Sequence, residues 1–133
     1  MRRRMFKKIT PAMLVRRGAN RECWQYEVFC KQWPDGVVPS LKAFKAASSL
    51  YLDLDWFADA FLSKAGIDRL REEEEIFRGR SQKAMWAAWR RLNKSDHGIA
   101  AEDSYSNSLR RCRRIEGEAK AAALWKEWKK LKP

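Results

Sequence analysis

The sequence predicts an all-α fold, a compact bundle of about five to seven helices that ends in a long basic helix. Apolar residues recur at spacings of three and four along most of the chain, and strict alternation is nearly absent. The best strand candidate, Gly36-Val37-Val38-Pro39, is too short and too close to proline to count in a sheet. The 133 residues are 45% hydrophobic and 12% aromatic, enough for one real core although 35% are charged. One domain is expected, 1–133, with possible lobes 1–93 and 105–133 joined by a loop at 94–104.

The elements follow in order. Thr10-Pro11 reads as an N-cap with proline at the first helical position, and Gly18 closes that short helix. Asn20 is placed to cap the next helix, whose apolar side holds Cys23, Trp24, Val28, Phe29 and Trp33. Trp33-Pro34-Asp35-Gly36 is a turn signal. Ser40 caps a helix reaching about Leu52, with Leu41, Phe44 and Ala47 on one side. Asp53 or Asp55 caps another, carrying the apolar stripe Trp56, Phe57, Ala60 and Phe61. A helix over residues 67–78 is expected to bend or break at Gly79, and Ser81 to cap the one bearing Met85, Trp86, Trp89 and Leu92. After the loop, Tyr105 to Leu131 has no proline and only Gly117 as a weak spot, so a helix of up to ~40 Å fits.

One stretch is repeated. Ala84-Met85-Trp86-Ala87-Ala88-Trp89-Arg90-Arg91-Leu92 matches Ala123-Leu124-Trp125-Lys126-Glu127-Trp128-Lys129-Lys130-Leu131 as apolar-Trp-x-x-Trp-basic-basic-Leu. The spacing puts each tryptophan pair and its leucine along one side of a helix, with the bases on a flank. Seven tryptophans in 133 residues need cover, which favours the core for most of them. The alternative use of such a face is to stack on bases and neutralise phosphate.

The formal charge is +12, distributed as +7 over residues 1–33, −1 over 34–66, 0 over 67–104 and +6 over 105–133. A field of that size attracts polyanions and speeds encounter with them. The candidate binding residues are Arg2, Arg3, Arg4, Lys7 and Lys8 near the start, and Arg90, Arg91, Lys126, Lys129 and Lys130 in the repeats. Arg110, Arg111, Arg113 and Arg114 join them on adjoining flanks of the last helix. Arginine offers two-pronged phosphate contacts that lysine does not.

No constellation points to catalysis. His97 beside Ser95 and Asp96 is adjacency, which does not make a triad, and no phosphate-cradling glycine loop accompanies it. Glu72 to Glu75 point in four directions on a helix and offset Arg69, Arg71, Arg78 and Arg80 as a solvated run. Three cysteines without a C-x-x-C pair suggest neither a disulfide framework nor a zinc site, so no cofactor or metal is expected. The basic start lacks an apolar run behind it, and no stretch approaches the ~18 apolar residues of a membrane span, so a cytoplasmic location is expected.

The stretch Leu14 to Leu62 resembles small proteins encoded by bacterial viruses and prophages. The matching residues are Gly18-Ala19, Phe29, Trp33-Pro34-Asp35-Gly36-Val37, and Leu52-Asp53-Leu54-Asp55-Trp56 with Ala58 and Leu62. Those proteins often have a cysteine after the Gly-Ala pair and an Ala-rich helical tail, whereas here Asn20 follows and the tail is basic and tryptophan-rich. The resemblance implies a phage accessory protein acting on host machinery, and implies no activity or site residues. Two functions follow as expectations. One is a non-enzymatic protein binding nucleic acid or a nucleoprotein complex; the other is an anti-CRISPR-like inhibitor or adaptor docking on a host protein with an acidic surface.

Overall fold

The structure, a computed structural model, describes residues 8–94 and 98–131. Six helices occur among the described residues: α1 (Pro11–Arg16), α2 (Trp24–Gln32), α3 (Leu41–Ser49), α4 (Leu54–Phe61), α5 (Lys64–Lys94) and α6 (Ile99–Lys129). The all-α class and the long C-terminal helix are as expected. Val37 contributes only an isolated antiparallel bridge to Ile9, with N–O distances of 2.8 and 2.9 Å.

Three predicted caps form. The Met13 N–H donates to Thr10 Oγ1 at 3.2 Å, Ala43 to Ser40 Oγ at 3.0 Å and Trp56 to Asp53 Oδ1 at 2.9 Å. Each satisfies an N–H that the helix itself leaves without a partner. Gly18 takes a positive φ of 103° after α1, the left-handed backbone that glycine enters without cost. Gly36 does the same at 91°, and a Cβ there would lie 2.7 Å from the Ile9 carbonyl oxygen, so the bridge depends on glycine.

Elsewhere the helices differ from expectation. Asn20 does not cap α2: its Oδ1 accepts from the Glu22 N–H at 2.9 Å and forms a local turn, while Cys23 takes the cap position. Gly79 does not break a helix, Ser81 starts none, and both lie inside the 31-residue α5. The predicted loop at 94–104 belongs to α6 from Ile99 onward, so that Glu102 and Asp103 are helical. The cause is a shared seam. Glu74, Ser81 and Ala88 are buried on α5 at intervals of seven, the period that keeps one side of a helix against an antiparallel neighbour. Burial of that side outweighs the ~1 kcal/mol that a mid-helix glycine costs.

The core lies at the base of this hairpin. α6 packs against α5 along the seam and against α3 and α4 near its C-terminus. Trp128, 2% exposed, sits among Phe57 at 5.5 Å and Phe44 and Phe61 at 6.2 Å between ring centroids. Leu70, Ala121, Ala123 and Leu124 complete the join between hairpin and α1–α4. Gly117 is a point of approach rather than a weak spot, since a Cβ there would meet Ser48 Oγ of α3 at 2.6 Å.

Acidic and basic residues fix the hairpin's register. Arg69 Nε donates to Glu127 Oε1 at 2.8 Å; Lys120 Nζ lies 2.7 Å from Asp55 and 3.3 Å from Glu74; Arg78 reaches Glu116 at 3.8 Å. Glu72 to Glu75 is therefore not uniformly solvated: Glu74 is buried, 6% exposed, beneath Lys120 and Arg78. Burial pushes its carboxyl above the usual range, with Lys120 opposing and Asp55 adding to the rise. Asp55, more exposed, is desolvated in part but held below its ordinary value by Lys120.

Candidate functional site

Beyond the core the hairpin continues as an arm. From Gly79 to Lys94 on α5 and from Ile99 to Ile115 on α6, no residue belongs to the core cluster. At 1.5 Å per residue this arm projects about 25 Å. Its seam is thin, with Ser81, Ala88 and Cys112 as its buried residues.

The outer side of the arm carries two indoles. Trp86 is 58% and Trp89 43% exposed, their centroids 5.7 Å apart and planes at 85°, an edge-to-face pair. The buried seam at Ser81 and Ala88 is turned away from Trp86, so the arm cannot cover it. Lys83 precedes Trp86 by three positions and Arg90 follows it by four, which makes both its neighbours on the helix surface.

Within the hairpin, the arm is also where cations are left over. Arg80, Lys83, Arg90, Arg91 and Lys94 are exposed on α5, with no acid from Ile76 to Lys94. Arg110, Arg111, Arg113 and Arg114 are exposed on α6. The register set by Arg78 with Glu116 and by Glu74 with Lys120 brings this quartet alongside the α5 turns of Arg80 and Lys83. Among the described residues none of these nine bases makes an ion pair; Arg110 has only a hydrogen bond to Asn107 Oδ1, at 3.4 Å. Unpaired cations this dense raise the local potential and find relief in an external polyanion.

The bases of the second repeat are used differently. Lys126 donates to Glu73 at 2.7 Å, which holds its ammonium above the usual pKa. Lys130 pairs with Glu127 at 3.2 Å, and Lys129 lies 5.6 Å over the Trp125 ring. All three are at the base of the hairpin, some 30 residues of helix away from the arm's tip. Lys8 is exposed next to the Ile9–Val37 bridge. Arg2, Arg3, Arg4 and Lys7 lie outside the described residues, as does His97. The structure thus brings Arg90, Arg91, Arg110, Arg111, Arg113 and Arg114 onto one arm and separates Lys126, Lys129 and Lys130 from them.

Sequence reasoning missed part of this site. Core cover holds for Trp33, Trp56, Trp125 and Trp128 but not for Trp86 and Trp89, nor for Trp24 at 53% exposure. Arg80, Lys83 and Lys94 were concealed by averaging, because the neutral block 67–104 joins four successive glutamates to a following acid-free run. That run, from 76 to 94, was the available signal.

Other features of the structure suit a polyanion less. A cavity of about 330 Å³ opens among α1–α4, walled by Phe29, Trp33, Phe44 and Phe57. Two of its polar groups are already engaged, Asn20 with the Glu22 N–H and Gln25 Oε1 with the Asp53 N–H at 2.6 Å. Among the described residues no three His, Cys, Asp or Glu side chains converge as metal ligands, and no helix is long and apolar enough to cross a membrane. Comparison of the chain with family models, with curated proteins and with solved structures finds no match.

Proposed function

We propose that this protein is a non-enzymatic nucleic-acid-binding protein whose contact surface is the α5–α6 arm. The observation that carries the reading is the set of nine exposed bases on the arm without ion pairs, in a hairpin whose other described cations, Lys129 excepted, each pair with an acid. Phosphates spaced along a strand fit a linear array of guanidinium groups, each able to bind through two N–H donors. Contacts of this kind fix position on the backbone and carry little sequence information, so selectivity among sequences is modest.

The test is binding of the purified chain to labelled DNA and RNA across a salt series. The reading expects submicromolar affinity at low salt that falls steeply with added salt, by roughly 0.7–0.9 in log–log slope for each phosphate contact. Absence of binding at low salt would remove nucleic acid as the partner.

A second reading rests on the same arm. Exposed tryptophans bordered by arginines are also the residue types that anchor protein interfaces. The resemblance of Leu14–Leu62 to phage-encoded proteins then points to a host protein or nucleoprotein complex with an acidic surface, which this protein would inhibit or bridge. A stoichiometric partner retained from nuclease-treated lysate, and lost on charge reversal of Arg90 and Arg91, favours that reading over the first.

A further inference from the structure

We propose that Trp86 and Trp89 form a base-stacking platform, and that the arm consequently takes single-stranded nucleic acid with unpaired bases in preference to duplex. This rests on the nucleic-acid reading and sharpens it to a class of ligand.

Charge alone would serve a duplex as well as a single strand. The indoles are what discriminate. In an edge-to-face pair at 5.7 Å and 85°, the rings meet through one edge and one face, so each indole keeps at least one face outside the pair. With 58% and 43% of their surfaces exposed, much of each indole is open to solvent instead of packed on the protein. A base in a duplex already has both faces covered by its neighbours and offers an indole only its edges. An unpaired base offers a whole face, and stacking accepts any base.

Placement supports the same conclusion. Lys83 and Arg90 flank Trp86 one helical turn away on either side, the arrangement in which a strand's bases meet the rings while its phosphates meet the cations. Lys94, four positions beyond Arg90, continues the basic track toward the tip, and no carboxylate interrupts it on α5. The second repeat provides an internal contrast. Trp128 at the equivalent position of Trp89 is 2% exposed and Trp125 is covered by Lys129, so equal sequence spacing there builds core and no platform.

The experiment measures affinity of the full chain for three labelled ligands: an oligothymidine strand, its abasic counterpart of equal length and charge, and a duplex of the same length. The native protein is expected to bind oligothymidine roughly 30-fold more tightly than the abasic strand, the combined effect of two stacked bases. Trp86→Ala with Trp89→Ala should erase that difference while leaving the salt slope unchanged, since no phosphate contact is removed. Trp86→Phe with Trp89→Phe, which keeps a ring at each position, should retain most of it, and an unchanged unfolding midpoint shows that both variants are folded. Equal binding of oligothymidine and abasic strand, or tighter binding of duplex, overturns the stacking platform and leaves the electrostatic reading standing. Failure of all three ligands to bind at low salt overturns both.

Discussion

Glu74 is a carboxylate buried in a helix seam, and what makes it tolerable is Lys120. The lysine spans from Glu74 at 3.3 Å to Asp55 at 2.7 Å, tying α5, α6 and α4 at one point. Removing one partner of a buried charge pair costs more than the pair contributes, because the remaining charge has no compensation. Lys120→Met should therefore destabilise the fold by about 3 kcal/mol at neutral pH, measured by urea unfolding. The pH dependence follows from the two carboxyls. Glu74, with its pKa raised in the folded state, weakens stability when ionised and ceases to do so as pH falls through that raised value. Asp55, with its pKa lowered, contributes stability above its unfolded pKa and loses it as pH falls through the lowered one. Both losses of charge remove what Lys120 does. The deficit of Lys120→Met should shrink across the window that opens above the usual 4.5 of glutamate and closes below the usual 3.8 of aspartate. A deficit constant across that window would show that Lys120 acts through packing alone.

The long helices teach how similar sequence segments acquire different roles. Trp128 lies against Phe44, Phe57 and Phe61, and Trp86 lies in solvent, although the repeats that hold them share their spacing. Trp128→Ala should cost about 4 kcal/mol, the range for a buried aromatic, while Trp86→Ala should cost less than about 0.5 kcal/mol. Thermal unfolding of the two variants checks the contrast, and similar losses would contradict it. Gly79 is a second case. Its interior helical position and the empty space around a Cβ there mean that Gly79→Ala should stabilise by about 0.5–1 kcal/mol, read as a raised unfolding midpoint. Capping chemistry made Thr10, Ser40 and Asp53 legible in the sequence, because each cap is a local contact between neighbours in the chain. The continuity of α5 was not legible. Its seam residues are Glu74, Ser81 and Ala88 rather than leucines, so the seven-residue period carries no hydrophobic signal, and it gains meaning only when α6 lies beside it.

In the molecule as a whole, the hairpin formed by α5 and α6 sorts its charge by position. The base of the hairpin is laced with pairs between Arg69 and Glu127, Lys126 and Glu73, Arg71 and Asp59. The arm bears Arg90, Arg91 and the Arg110–Arg114 quartet with no carboxylate matching them among the described residues. Sequence composition reveals the excess of cations but not this division, because only the fold decides which lysine or arginine faces an acid. Lys126, Lys129 and Lys130 looked equivalent to Arg90 and Arg91 in the repeat, and the pairing of the first and third with Glu73 and Glu127 is what separates them. The most direct measurement compares the salt slope of nucleic-acid binding for two charge-removed variants. One replaces Arg110, Arg111, Arg113 and Arg114 by glutamine, and the other replaces Lys126, Lys129 and Lys130. Binding through the arm predicts a slope reduced by about 3–4 in the first variant and nearly unchanged in the second. A slope that falls in the second and persists in the first would contradict the arm as the contact surface.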